Sequence, residues 1–303
     1  MLQHLPLVLA DALGYFRAEG VQVMLQEHAA DTEALAAVYQ GQADLCSAPF
    51  EALLRQQARG RALRAFVLQT RSPQVALAVA VRQFPSYRDL VDLKGRRIGV
   101  PALDSGAQWL AAMLIARVGL AERDVQFVPV GSGADALQAF RSGRVHALCH
   151  GEPVMSQLEA RNDARVVADL RGLKAMGDLL GSALPDACLM APPAFLQRQP
   201  AVAQSITHAM VHALKWLQTA APADLVRVLP AAYLLGDRSS YLAALGRVRD
   251  TFSPNGLLPE DGPQAALKLL QRVQPAAWTD TRVDLSRTYT NEWVRKARQK
   301  FNA

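Results

Sequence analysis

Few side chains in this sequence stand at spacings that could do chemistry. His208 and His212 lie four residues apart, on one face of a helical segment, a spacing that suits a metal ion. The zinc-protease pattern also needs a glutamate directly after the first histidine, and Ala209 holds that place. His146, Cys149 and His150 are close in sequence, but on a strand the two histidines share a face and the thiol points the other way. That geometry favours a packed Cys149, with His150 a candidate hydrogen-bonding residue at a loop. Gly131-Ser132-Gly133 lacks the Lys-Ser/Thr that completes a phosphate loop. No G-x-S-x-G elbow occurs. Asp104, Glu152 and Asp186 could each move a proton, yet nothing in the sequence pairs them. The sequence carries no positive signal for catalysis, for a cofactor or for a metal.

One segment does point to a ligand. Asp104-Ser105-Gly106-Ala107-Gln108 precedes a helical run. A helix start offers free N–H groups and the positive end of the dipole, which suit a carboxylate, sulfonate or phosphate. Ser105 brings a hydroxyl, and Gly106 lets a ligand approach the backbone. Asp104 or Ser105 acting only as the helix cap explains the same residues equally well.

The elements that must position these residues alternate. The pattern predicts helices over 6–17, 31–39, 51–59, 108–118 and 135–141. Strands are expected over 21–27, 43–46, 63–68, 74–81, 97–100, 125–130 and 145–149, with the crossover helices of a parallel sheet between them. From about residue 200 the chain reads as helical. The βα rhythm runs twice. Leu35–Gln40, Gly41, a strand and Ser47-Ala48-Pro49 resemble Leu137–Ser142, Gly143, a strand and His150-Gly151-Glu152-Pro153. In open α/β sheets the loops at strand ends line the ligand crevice, so two such sets facing each other would make a cleft.

Composition fits a packed globular chain. Of 303 residues, 50% are hydrophobic and 20% charged, enough for two domains. The net charge of +6 is dispersed, with its densest cluster at Arg295, Lys296, Arg298 and Lys300. No concentrated basic stripe or reading motif points to nucleic acid. Three cysteines without a CxxC pair exclude a disulfide scaffold. Apolar runs such as Val75–Val81 are too short to span a bilayer, and the start shows neither a basic region nor an apolar core of a signal peptide.

Several blocks together resemble the ABC-transporter solute-binding proteins for nitrate, sulfonates and taurine, a family that includes thiamine-precursor binders of the NMT1/THI5-like kind. These are Leu5-Pro6-Leu7 with Gly14-Tyr15-Phe16 and Glu19-Gly20-Val21, then Gly41-Gln42-Ala43-Asp44, then Asp92-Leu93-Lys94-Gly95-Arg96-Arg97-Ile98-Gly99-Val100. Later blocks are Ser142-Gly143, Glu152-Pro153 and Tyr289-Thr290-Asn291. The resemblance implies an α/β fold of the type II periplasmic-binding-protein kind. Each of its two lobes is a mostly parallel sheet flanked by helices, with extra helices at the C-terminus. One lobe would be 1–73 plus 191–303 and the other 74–190, crossing near 71–76 and 188–192 and closing on a ligand by hinge rotation. It implies a periplasmic monomer that captures a small, anionic ligand and delivers it to a membrane permease served by a cytoplasmic ATPase.

By the same resemblance the cleft residues would be Gln3 and His4; Ser47, Ala48, Pro49 and Phe50; and Gln69, Thr70 and Arg71. The second lobe would add Asp104, Ser105, Gly106, Gln108, His150, Gly151 and Glu152, with Pro185 and Asp186 near the second crossing. Arg71 would pair with an anion, though a surface salt bridge suits it as well. Family members carry a strand before the Leu5-Pro6-Leu7 helix, and this sequence begins at about the loop after it. A shortened N-terminus is therefore expected, leaving Gln3 and His4 as the rest of that contact loop. Two other readings stay open. One is an enzyme on the same fold, of the thiamine-pyrimidine or menaquinone-pathway type, although Cys46, Cys149 and Cys188 do not form the cysteine-rich motif of the former. The other is the sensing half of a transcription regulator, which needs a helix-turn-helix that does not precede Gly14.

Overall fold

The computed structural model describes residues 2–180, 184–234, 238–279 and 282–301. A short 3-10 turn, Leu2–His4, leads into α1 (Leu5–Ala12) and α2 (Tyr15–Ala18). Next come α3 (Asp31–Tyr39), β1 (Cys46–Pro49), α4 (Phe50–Ala58) and β2 (Arg64–Leu68). The chain then builds β3 (Val75–Ala80), β4 (Arg97–Val100), α5 (Gly106–Ala116), β5 (Gln126–Pro129) and α6 (Ala134–Arg141). β6 (Ala147–Gly151), α7 (Val154–Ala160), β7 (Ala164–Asp169) and α8 (Leu173–Leu180) follow. After β8 (Ala187–Ala191) the chain is helical: α9 (Pro193–Arg198), α10 (Pro200–Thr219), α11 (Pro222–Val228), α12 (Arg238–Val248), α13 (Gly262–Val273), α14 (Pro275–Trp278) and α15 (Glu292–Phe301).

Two sheets result. The first runs β1-β8-β2, with β8 antiparallel to both neighbours, for example Ala48 opposite Cys188. The second runs β5-β4-β6-β3-β7. Within it β4 is parallel to β5 and β6, whereas β3 is antiparallel to β6 and β7. The first sheet is therefore antiparallel and the second mixed, rather than mostly parallel. β3 and β8 are the strands on which the chain passes from one sheet to the other, and each runs against its neighbours. All six residues of β3, Val-Ala-Leu-Ala-Val-Ala, are buried, because the strand sits inside its sheet with both faces covered. Gly99 in β4 meets Leu148 so closely that a Cβ would stand 2.9 Å from its Cδ1.

One buried apolar cluster joins the two sheets. It includes Leu53 of α4, Leu77 of β3, Leu114 of α5, Cys188 of β8 and Leu270 of α13. A second packs α1, α10, α12 and α15 against the outer face of β2 and β8. α10 shows why it forms: Ala203, Ile206, Met210, Ala213, Leu214 and Leu217 fall at helical spacing and are all buried. Each fully buried Leu or Phe contributes roughly 1.5–3 kcal/mol.

The structure departs from the sequence expectations at several elements. The first helix breaks at Gly14, whose φ of +73° ends α1 and starts α2. Residues 21–27 alternate half-buried and exposed positions up to Leu25 but pair with no strand among the described residues. Alternation marks which face is covered and does not supply a neighbour to bond to. β1 begins at Cys46 rather than Ala43, so Ser47, Ala48 and Pro49 lie in a strand and not a loop. β6 likewise takes in His150 and Gly151.

Candidate ligand-binding site

A small cavity, with about 40 Å³ of room for water-sized molecules, lies between elements of the two sheets. On one side stand Gln3, Asp31 at the start of α3, Pro49 and Glu51 at the start of α4. On the other stand Ser105, Gly106, Trp109 and Leu110 of the α5 start. Leu184, Pro185 and Asp186 close it where the chain enters β8.

Local structure explains how these residues face the same space. Asp104 adopts φ +61°, turning the chain after β4 so that Ser105 becomes the N-cap of α5. Ser105 Oγ accepts the Gln108 N–H at 3.3 Å, and Gln108 Oε1 in turn accepts the Asp104 N–H at 3.0 Å. The next free N–H, that of Gly106, donates to Asp31 Oδ2 at 3.3 Å. The α5 start thus already holds a carboxylate, supplied by the first turn of α3. A Cβ at position 106 would stand 3.0 Å from Glu51 Oε1 and 3.8 Å from Asp31 Oδ2, so both acids converge on the glycine. Asp186 is fixed from below: Thr70 Oγ1 donates to its Oδ2 at 3.1 Å and accepts the Ala187 N–H at 2.9 Å.

The three acids are all nine-tenths or more buried. Burial pushes the Asp31 carboxyl above its usual range, against the pull of the Gly106 N–H. It raises Glu51 to about 7, with Arg55 opposing and Asp31 adding to the shift. It raises Asp186 to about 8, opposed by the Thr70 hydroxyl. Arg55 Nε lies 3.0 Å from Glu51 Oε2. Neither Glu51 oxygen receives a hydrogen bond, and the indole N–H of Trp109 is also buried without one.

Beside this cavity runs a polar chain. Gln3 Nε2 lies 3.2 Å from His4 Nε2, His4 Nδ1 lies 2.6 Å from Ser47 Oγ, and Gln69 Nε2 donates to Ser47 Oγ at 2.6 Å. Burial drives the His4 pKa down to about 3, so the ring is neutral near pH 7. With Gln3 donating to Nε2, the proton sits on Nδ1 and goes to Ser47.

The structure therefore gathers part of the expected set and disperses the rest. Gln3, Pro49, Ser105, Gly106, Pro185 and Asp186 line the cavity. His4, Ser47, Gln69 and Thr70 support its floor through the contacts above. Ala48 and Phe50 are fully buried in the shared core. Arg71 does not line the cavity: its Nη2 donates to the Asp250 carbonyl at 2.8 Å. Asp104 is exposed, and its carbonyl accepts from Arg55. His150 is buried in the second sheet, its ring nitrogens each 3.2 Å from the carbonyls of Gly151 and Gly131. Glu152 belongs to a buried ion cluster, 2.8 Å from Arg171 Nη1 and bonded to Ser156. Gly151 is held in the β3–β6 ladder opposite Val75.

Sequence reasoning missed Asp31, Glu51 and Trp109. Asp31 and Glu51 are first-turn acids that read as ordinary helix-start residues, and Trp109 falls on an apolar helical face. The Asp31-Thr32-Glu33 helix start was the one signal within reach, since a carboxylate there can meet a second helix start. The two histidines of α10 do different work: His208 pairs with Glu19 at 2.9 Å, and His212 stacks on Tyr15 at 3.8 Å between centroids. Among the described residues no group of three or more His, Cys, Asp or Glu could hold a metal ion. The three cysteines are free and buried.

Among known proteins, a structure from Bordetella bronchiseptica RB50 is 39% identical, with a TM-score of 0.94 over 100% of this chain and 95% of that one. The alkanesulfonate-binding protein SsuA from Xanthomonas axonopodis pv. citri, bound to MOPS, aligns with TM-score 0.73 at 21% identity, covering 94% of each chain. The periplasmic nitrate-binding protein NrtA from Synechocystis PCC 6803 aligns with TM-score 0.77 at 12% identity, covering 99% of this chain and 86% of that one. These likenesses establish the periplasmic-binding-protein fold. No curated protein sequence matches the chain. The NMT1/THI5-like family profile matches residues 1–223, most of the length, and with that match the chain belongs to the NMT1/THI5-like family.

Proposed function

We propose that this protein is the solute-binding component of an ABC uptake transporter. It captures a small molecule in the cavity between its sheets and hands it to a membrane permease driven by a cytoplasmic ATPase. The observation that supports this most is the cavity itself. Polar side chains from helix starts on both sides converge on one space in a chain of this family. Two lobes, 1–73 plus 191–303 and 74–190, would close over the ligand by hinge rotation. The working location is the periplasm and the working unit a monomer. No helix among the described residues is long and apolar enough to cross a membrane.

Binding, not turnover, is the expected activity. Glu51 and Asp186, with pKa values of about 7 and 8, also suit proton transfer, which is the one feature favouring an enzyme on this fold. Incubating the protein with a ligand that raises its melting temperature separates the two. Recovery of the ligand unchanged supports capture; conversion to product supports the enzyme. Uptake of that ligand by cells should require this gene together with its permease.

A further inference from the structure

We propose that the cavity takes an organic cation, a small molecule bearing a protonated amine, amidine or guanidinium group, rather than an anion. The proposal rests on the solute-binding reading and names its ligand class. Every charged side chain among the described residues on the cavity wall is acidic: Asp31, Glu51 and Asp186. Among the described residues the cation beside them is Arg55, whose Nε lies 3.0 Å from Glu51 Oε2 and whose Nη2 donates to the Asp104 carbonyl.

Glu51 carries the argument furthest. It is 8% exposed and lines the cavity; Arg55 Nε lies 3.0 Å from its Oε2, and its Oε1, on the Gly106 side, has no partner. A buried acceptor left unmade is costly, and a charged donor from a ligand would satisfy it. Neither feature expected to welcome an anion offers a donor to the cavity; the Arg71 Nε is buried without a partner, but Arg71 does not line the cavity. The Gly106 N–H at the α5 start is held by Asp31, and the Arg71 guanidinium points to the Asp250 carbonyl outside the cavity. An anion beside these three buried acids can be held only while they keep their protons, whereas a cation favours their ionised form. A bare metal ion does not fit either, because no group of three ligating side chains forms among the described residues. An organic cation would instead set its donors against Glu51 and the other acids of this wall. The free indole N–H of Trp109 then offers a donor to an acceptor elsewhere on the same molecule.

The test uses the full chain with matched probes: agmatine, butylamine and benzamidine as cations, butyramide and benzamide as neutral isosteres, and nitrate, butanesulfonate and benzoate as anions. Thermal shift identifies binders, and titration calorimetry gives affinities for the wild type, Glu51→Gln and Asp186→Asn. Cations should bind, neutral isosteres more weakly, and anions not at all. Loss of a charge-assisted hydrogen bond predicts about tenfold to hundredfold weaker cation binding by Glu51→Gln. The melting temperature of the unliganded variant, which should not fall, separates this loss from misfolding. Binding of anions alone overturns the proposal and leaves the solute-binding reading standing. Silence of every probe overturns both. Cation binding that neither variant weakens overturns the assignment to this wall.

Discussion

Glu51→Gln should stabilise the unliganded protein, and by an amount that depends on pH. Glutamine mimics the protonated acid in shape and charge. The substitution therefore removes the cost of ionising a carboxyl that the fold has buried. The folded-state pKa of about 7 stands above the ordinary 4.5. A group raised in this way favours folding below 4.5, where both states hold the proton, relative to higher pH, and that advantage is lost as pH rises through 7. At pH 8 the difference of about 2.5 pKa steps, at 1.36 kcal/mol each, predicts a variant ~3 kcal/mol more stable than wild type. At pH 5 the same linkage leaves ~1 kcal/mol. In a chain of this size 1 kcal/mol moves the melting temperature by about 2 °C, so the gap at pH 8 is about 6 °C. Urea unfolding of both proteins at pH 5, 7 and 8 measures it. A variant less stable than wild type at pH 8, or a gap that does not shrink on acidification, refutes the claim that burial of Glu51 outweighs its Arg55 ion pair.

Asp31→Ala should uncover the Gly106 N–H at the α5 start, and nitrate or methanesulfonate, silent on the wild type, should then give a calorimetric signal. Gly106→Ala would place a Cβ 3.0 Å from Glu51 Oε1 and 3.8 Å from Asp31 Oδ2, inside the binding space. Ligand affinity should fall by about tenfold or more, while the circular-dichroism spectrum stays that of the wild type. Arg171→Met removes the centre of a cluster in which Arg171 and Glu152 are each 1% exposed, leaving a buried carboxylate unpaired. It should cost ~3–5 kcal/mol, read from the urea midpoint. Asp186→Asn should flatten the stability profile between pH 6 and 8: the acid, raised to about 8, makes wild type lose stability as pH climbs through that window, and asparagine does not titrate.

The fold was largely legible because its signals are local. The β3 run of Val75–Ala80 and the α10 spacing of Ala203, Ile206 and Met210 announce themselves in any short window. Strand direction was not legible, since nothing in the sequence of β3 tells that it runs against β6 and β7. Nor was pairing: Val21, Val23 and Leu25 alternate as a strand should, and the partner that would make them one has to come from elsewhere. The candidate site divided the same way. Ser105 and Gly106 could be placed because a helix start has its own signature. Asp31 and Glu51 could not, because their importance arises only where the starts of α3, α4 and α5 meet, 31 and 51 lying 75 and 55 residues before 106.

Under the proposed cation selectivity, that meeting also accounts for how one fold could serve ligands of opposite charge. A helix start is a fixed donor site: its N–H groups and dipole persist whatever the side chains do. Its preference for an anion can be cancelled only by supplying one internally, and the Asp31 carboxylate on Gly106 does this across the cavity. Once the internal anion is in place, the same geometry that would have drawn a sulfonate presents carboxylate oxygens instead. Glu51, which gains nothing from the α5 start and keeps Oε1 without a partner, then sets the sign of the space. If this is how charge selection works here, the double variant Asp31→Ala, Glu51→Gln should prefer anions over cations. Each single variant should move only part of the way, because each leaves one of the two acids facing the ligand. A double variant that still selects cations would place the selectivity in Asp186 alone and remove Asp31 from the explanation.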